Sequence, residues 1–428
     1  MAPRAAVVYG THGQSGPGPT VRRERSILAA ALLAAMPPAP ALADDDVSIA
    51  LHANIQLDAV ALQSSNLPPA DHISSGGGFR RIRIGVSGRL SQDWAYEITP
   101  KLESSSSNHI AISNLFLQYD GLAPVHVRVG AYGAPANFDG ATSSTDLLFL
   151  ERAQPADLGR NIGAGTGRAG ASVFAYDESY FAALSYTGAP ANAAIFSQQA
   201  VVGRLVWRPV HDEDGSFAFG ADLTHVFTLS GTGGAHDFRL RERPELNVQT
   251  VDLRLIDTGN LDSDSVTAFD IEATGNRGNL YAQGGFFHYA IARAAPITDD
   301  PAFSGWYLQA SWVLTGEARP WRSNKGGYGA PTIAHPLGEG GLGALELAAR
   351  YSDLDLNYRP GAPNTAAKPE AVRGGRQRIV TVGLNWYPAG PVRFLLDYNR
   401  ALAARLSVNG QGRDASADLV SLRSQVSF

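Results

Sequence analysis

The feature that most constrains this chain is a two-residue alternation carried through one segment after another of about ten residues. In the run from Arg80 to Leu90, Ile82, Ile84, Val86 and Leu90 fall on one side of a strand while Arg81, Arg83 and Arg89 fall on the other. One side suits lipid and the other suits an anion. A single strand of a soluble sheet with its arginines in solvent has the same pattern, so the weight lies in the number of such segments. Sixteen can be traced, at 47–59, 80–90, 94–103, 109–119, 124–132, 168–176, 180–187, 199–208, 216–226, 265–274, 279–290, 304–315, 342–352, 378–387, 391–401 and 418–428. No amphipathic stretch of useful length has a 3.6-residue period, so helices are expected to be nearly absent.

The N-terminus reads as an address label. Arg22, Arg23 and Arg25 precede an apolar stretch from Ile27 to Met36, then Ala41-Leu42-Ala43 and three aspartates, the order of a secretory signal. Cleavage is expected after Ala43, so residues 1–43 are a signal peptide, with residues 1–20 as an upstream extension, and residues 44–428 form the mature domain. No later segment has the roughly 20 uninterrupted apolar residues of a spanning helix, so any membrane crossing must use strands.

The connections fit a bacterial barrel, in which short periplasmic turns alternate with longer outer loops. Short links fall at 91–93, 120–123, 177–179, 209–215, 275–278 and 388–390, always after an even-numbered strand; long ones fall at 60–79, 133–167, 188–198, 227–264, 291–303, 353–377 and 402–417, always after an odd-numbered one. Two links depart from the rule, the short outer one at 104–108 and the long periplasmic one at 316–341. Segment 238–254 also alternates, but a seventeenth strand would place the chain ends on opposite sides, so it is assigned to the loop at 227–264. The last segment ends on Phe428, as expected of a strand that closes a barrel. Trp94, Tyr96, Tyr119, Trp207, Trp312, Trp386, Tyr387 and Tyr398 lie near strand ends, where amphipathic rings prefer the lipid-water boundary. The reading is all-β: a 16-stranded antiparallel transmembrane β-barrel in contact with outer-membrane lipid.

Composition excludes several alternatives. There is no cysteine, hence no disulfide, thiol catalysis or Cys-type zinc site. The formal net charge is −5, and about −8 after Ala43, which argues against nucleic-acid binding and leaves local clustering as the use of arginine. Only Lys101, Lys325 and Lys368 are lysines. No nucleophile motif, metal-spaced cluster or phosphate-cradling glycine motif is found, so the chain is not read as an enzyme, and no cofactor or metal is expected.

Several runs, in order, resemble the phosphate-selective porins O and P: Phe79-Arg80-Arg81, Thr142-Ser143-Ser144-Thr145-Asp146 with Phe149-Leu150-Glu151-Arg152, Arg243-Pro244-Glu245, Asp257-Thr258-Gly259, Gly305-Trp306-Tyr307, Leu314-Thr315-Gly316-Glu317, Glu346-Leu347-Ala348-Ala349-Arg350-Tyr351 and Gly383-Leu384-Asn385-Trp386-Tyr387. The resemblance covers nearly all of residues 47–428. It implies a homotrimer in the outer membrane of a Gram-negative bacterium, each chain with its own pore narrowed by an inward-folded third loop. It also implies an anion path lined by arginines and a few lysines, phosphate or other small anions as solutes, and recognition of Phe428 by the barrel-assembly machinery.

By alternation Arg81, Arg83, Arg89, Arg128, Arg204 and Arg208 are expected to face the lumen, with Arg80 and Lys101 on the same path. Arg239, Arg241 and Arg243 recur at every second residue and read as a ladder at the outer mouth; the competing reading for each is pairing with a loop carboxylate such as Glu242 or Glu245. The phosphate-specific members carry a lysine at the constriction, whereas this chain has none between residues 102 and 324. Its third loop and loop exit supply Arg152, Arg160 and Arg168 with Ser143, Ser144 and Thr145 instead. Arginine brings the charge and a planar fork of donors, not a compact ammonium. Anion preference therefore stands ahead of phosphate specificity, beside three alternatives: a general small-solute porin, a non-conducting structural or adhesive barrel, and an outer-membrane hydrolase.

Overall fold

The computed structural model describes residues 47–67, 75–102, 110–193, 197–229, 237–247, 253–294, 297 and 299–428. The segment expected to be a leader, with its expected cleavage site, and the connection at 104–108 lie outside the described residues. The alternation in the sequence becomes an alternation in burial. Along residues 199–211, Leu205 and Trp207 are 64% and 61% exposed on the outer face, while Val202, Arg204 and Val206 are buried on the inner one.

Sixteen long strands follow in chain order: β1 (Ser48–Asn66), β2 (Gly76–Arg89), β3 (Trp94–Leu102), β4 (Ile110–Leu122), β5 (Val125–Tyr132), β6 (Arg168–Tyr176), β7 (Tyr180–Pro190), β8 (Gln199–His211), β9 (Gly215–Thr228), β10 (Leu261–Arg277), β11 (Leu280–Arg293), β12 (Ala302–Val313), β13 (Ala344–Tyr358), β14 (Val372–Ala389), β15 (Val392–Ala404) and β16 (Ala415–Ser427). Each is antiparallel to the next. β1 pairs with both β2 and β16, Leu51 opposite Val86 and Asp58 opposite Arg423, so the sheet closes on itself. Closure leaves no edge of unpaired backbone groups, which hydrocarbon would not tolerate. The seam continues to the last residue: Phe428 N donates to Ala53 O (3.1 Å) and Ala53 N to Phe428 O (2.9 Å).

The connections alternate as expected. At one end the turns are tight, and side chains satisfy their backbone: Asp177 Oδ1 accepts from the N–H groups of Ser179 and Tyr180, and Asp212 Oδ1 from those of Asp214 and Gly215. Gly278 takes a φ of 54° in the two-residue turn between β10 and β11, where a side chain would be strained. This is the periplasmic end in bacterial barrels. Its long exception, 314–343, carries a small hairpin (Trp321–Arg322 with Gly327–Tyr328) around a 3-10 turn at Ser323–Lys325. The described residues of 238–254 take no place in the barrel wall as a long strand: Asp237–Phe238 pairs with the start of β10, and Arg241–Glu242 pairs with Ile256–Asp257.

Two details depart from the sequence reading. Tyr387 turns inward and is buried, its hydroxyl donating to Glu346 Oε2 (2.8 Å), rather than joining the boundary ring of Trp94, Trp207, Trp312 and Tyr398, which are exposed. Within connection 133–167 lie a four-residue helix α1 (Phe138–Ala141) and a ten-residue helix α2 (Gln154–Gly163). Pro155 in its first turn, Asp157 near its start and Arg160 near its end favour α2. Part of its packing stripe is glycine, which no hydrophobic period registers: a Cβ on Gly163 would lie 2.6 Å from Thr224 Cγ2, so the helix reaches the wall because that Cβ is absent. Leu158 and Ile162 join Val226, Phe287, Tyr289, Phe303 and Leu354 in the largest apolar cluster.

Deleting Phe428 removes two seam hydrogen bonds and should reduce the yield of heat-modifiable, folded protein in the outer membrane. A wild-type folded yield after the deletion would contradict this.

Candidate functional site

The stretch 144–151 has no strand partner, and its backbone groups are satisfied by inward-facing side chains of the wall. Ser144 O accepts from Gln56 Nε2 (2.9 Å), Thr145 O from Arg393 Nη1 (2.7 Å), Leu147 O from Arg393 Nη2 (2.5 Å), Leu148 O from Asn385 Nδ2 (3.0 Å), Leu150 O from Arg423 Nη1 (2.6 Å) and Glu151 O from Arg350 Nη1 (3.0 Å). In return Leu150 N donates to Asp397 Oδ2 (2.8 Å). Strands β1, β13, β14, β15 and β16 all contribute to this grip.

Glu151 is its ionic centre. Arg80 reaches both its oxygens (2.6 and 3.0 Å), and Arg81 and Arg423 each lie at 3.2 Å. Burial alone would raise the Glu151 carboxyl, but attraction from Arg80, Arg81 and Arg423 holds it well below the usual carboxylate range. A bulge makes this possible. The register between β1 and β2 slips between Gln56, opposite Arg81, and Leu57, opposite Phe79, leaving Arg80 as the extra residue. Strict alternation would send Arg80 to the lipid face; the bulge re-aims it inward.

The other arginines divide by what they touch. Arg204 is fully buried, its Nη atoms donating to Lys325 O (2.7 Å) and Gly326 O (2.8 Å), so it braces the 314–343 connection. Arg168 donates to Gly188 O, Gln198 Oε1 and Asn161 O, bracing the exit of 133–167. Arg89 pairs with Asp120 and Arg208 with Glu178, both near periplasmic turns. Arg239 chelates Asp257 through Nε and Nη2, a loop carboxylate as the competing reading required, although Asp257 stands in place of Glu242 or Glu245. Glu245 pairs with Arg350 instead (2.5 Å). Arg241 is exposed, and Arg243 offers its carbonyl to Gln377. Lys101 sits opposite Arg83 in the β2–β3 register.

Arg83, Arg128, Arg152 and Arg160 come together. With Ser143, Ser144 and Thr145 they line a cavity of about 760 Å³ between 133–167, the inner faces of β1–β7 and the 314–343 connection. Arg322 and Lys325 enter it from that connection, so the cavity holds six cationic side chains against the carboxylates Glu97 and Asp146. Arg83 Nε has no hydrogen-bond partner. Arg128 lies 4.3 Å over the Phe116 ring and 5.1 Å from that of Phe174, held by Gln118. Arg152 is committed to carbonyls of Asp139 and Thr142. A second cavity, of about 300 Å³, is lined by Arg168, Arg239, Arg241, Arg243 and Arg254 with Asp157, Asp237 and Glu242. Burial, and then repulsion from Asp157, pushes the Glu242 carboxyl up to about 8, so at neutral pH this cavity carries less negative charge than its composition suggests.

Sequence reasoning passed over Arg319, Arg322, Lys325, Arg350, Arg393 and Arg423. The last three face inward by the same alternation that singled out Arg81, so their signal was present. Arg322 and Lys325 lie in a connection, where no period orients a side chain.

A closed barrel with an apolar outer belt, a polar interior and an inner cationic cavity defines the class: an outer-membrane channel. The family model of the phosphate-selective porins O and P matches residues 49–428, and the chain belongs to that family. It is 28% identical over 408 residues to an uncharacterized protein of Caulobacter vibrioides, covering 91% of this chain and 76% of that one. It is 23% identical over 369 residues to Porin O of Pseudomonas aeruginosa, covering 81% of each. Among solved structures, the anion-selective porin from Comamonas acidovorans aligns with a TM-score of 0.52 at 13% identity, covering 90% of this chain and 100% of that one. OmpT of Vibrio cholerae aligns with a TM-score of 0.54 at 11% identity, covering 90% and 99%. At these identities the structural likeness establishes the fold. The protein is thus a porin of the Gram-negative outer membrane, a channel and not an enzyme.

Replacing Glu151 by Gln leaves three guanidiniums facing a neutral amide and should destabilise the folded barrel by about 3 kcal/mol, the scale for breaking a buried ion pair. Because the folded carboxyl titrates below its unfolded value of about 4.3, its stabilising contribution is present above that value and is lost as pH falls below it. Denaturant titrations at pH 7 and pH 3 should therefore show a wide gap between wild type and Glu151→Gln at the first and a narrower one at the second. An equal gap at both would contradict the ionic account.

Proposed function

We propose that this porin passes small anions, phosphate among them, along a path that runs from the mouth cavity at Arg239–Arg243 to the cavity lined by Arg83, Arg128, Arg160, Arg322 and Lys325. The observation that carries the reading is the excess of cationic over anionic side chains in that inner cavity. Between low-dielectric walls a fixed guanidinium acts on an ion far more strongly than in open water. Local charge outweighs the chain's net negative charge within a Debye length of about 8 Å in physiological salt. Arginine presents paired donors to an oxyanion, and several moderate sites let the ion leave as well as enter. Lys325 offers an ammonium from a different element than the third loop, which keeps phosphate within the reading although residues 102–324 contain no lysine.

The same reading makes 133–167 the inward-folded loop that narrows the pore and Glu97 and Asp146 the groups that limit anion residence. It makes the assembly a homotrimer with one pore per chain, the outer belt a lipid contact, and Phe428 the residue read by the barrel-assembly machinery. It also makes residues 1–43 a leader, so intact-mass measurement of protein taken from outer membranes should give a chain beginning at Asp44; a retained leader would contradict that assignment.

Two sets of variants test the path in planar bilayers. Arg83→Ala with Arg128→Ala should move the reversal potential toward cation permeability and weaken block of chloride current by phosphate. Arg239→Ala with Arg241→Ala and Arg243→Ala should act on capture, lowering anion conductance mainly at low salt. Folded variants with wild-type selectivity at every salt concentration would overturn the path.

A further inference from the structure

Asp222 on β9 and Asp270 on β10 stand directly opposite each other in the barrel register, with Glu272 two residues further along β10. All three face inward and are at least 94% buried. One carboxylate oxygen from each lies within 4.8 Å of the others. Like charges set opposite each other in an antiparallel pair destabilise it, and a buried charge demands a counter-charge. Arg204, opposite Asp222 on β8, supplies one charge at 3.6 Å, but its two Nη atoms are committed to the carbonyls of Lys325 and Gly326. With all three carboxylates ionised, one guanidinium leaves two negative charges, which burial tolerates only beside a cation or with protons bound.

We infer that Asp222, Asp270 and Glu272 form a binding site for one divalent cation of calcium's size, which pins the start of the 133–167 segment to the barrel wall. Asp222 Oδ2 and Asp270 Oδ2 are buried in the cluster and accept from no N–H or hydroxyl donor of another residue, so that with only each other's carboxyl at hand they are left as ligand atoms. The donor set is oxygen only, as a hard cation requires, and oxygens bound to one Ca²⁺ at 2.3–2.6 Å lie within about 5 Å of one another. A divalent ion also matches the two uncompensated charges. The remaining oxygens tie the site to the loop: Asp222 Oδ1 accepts from Asn137 N (2.9 Å), Glu272 Oε2 from Phe138 N (2.5 Å) and Glu272 Oε1 from Tyr307 Oη (2.8 Å). An ion there fixes the carboxylates that fix the loop.

The test uses the mature chain refolded in detergent, free of lipopolysaccharide and stripped with EDTA. Calorimetric titration with Ca²⁺ should reveal one saturable site per chain, weakened at least tenfold in Asp270→Asn and in Asp222→Asn but unchanged in Glu339→Gln, a substitution at an exposed connection. Should the aspartate variants fail to fold, tyrosine-sensitised Tb³⁺ luminescence on the wild type reads the same site through Tyr307, and Ca²⁺ should displace the emission. Absence of saturable Ca²⁺ binding, affinity unchanged in both aspartate variants, or no Ca²⁺-displaceable Tb³⁺ emission would overturn the site. Proton uptake without calcium binding would identify a proton shared between Asp222 and Asp270 and overturn it equally.

Discussion

Arg423 holds the closing seam and the inner segment at the same time. From β16 its guanidinium chelates Asp58 on β1 with two contacts of 2.7 Å, and it also reaches the Leu150 carbonyl and Glu151. Through Glu151 the link passes to Arg80 and Arg81 on β2. Three strands around the seam and the buried stretch of 133–167 thus share one charge network. Such a network is costly to break in any single place, because removing one partner leaves the others buried and uncompensated. The arrangement gives the interior a fixed shape without filling it with apolar side chains, which is what a channel wall needs.

The inner arginines then serve two purposes that only structure separates. Arg204, Arg319, Arg350, Arg393 and Arg423 are spent on carboxylates and carbonyls that position the 133–167 and 314–343 segments. Arg83, Arg128, Arg160, Arg322 and Lys325 line the space those segments leave. Buried pairs fix the segments, and the charges facing the cavity set the potential an ion meets.

Most of the barrel is legible in the sequence because a period of two is a strong signal repeated sixteen times, and because loop lengths alternate with barrel end. Strand bodies such as 168–176 coincide with the observed element, while others extend beyond their expected ends, as at 378–387 within Val372–Ala389, since loop-proximal residues keep pairing after the apolar alternation stops. Arg80 illustrates what a period cannot carry: its direction depends on a bulge, which is a property of two strands together. Helix α2 escaped because glycine forms part of its contact with the wall. The roles of Arg204 and Lys325 escaped because they depend on where a distant connection folds, and no local pattern encodes a contact spanning more than a hundred residues.

The central claim, that the conduit favours anions although the chain is net negative, is tested most directly by the zero-current potential of the wild-type channel in a planar bilayer under a tenfold KCl gradient. The account predicts a potential of the sign set by chloride permeation, shrinking as salt rises and screens the arginines. A potential of the opposite sign, or one that stays near zero at low salt, would contradict it.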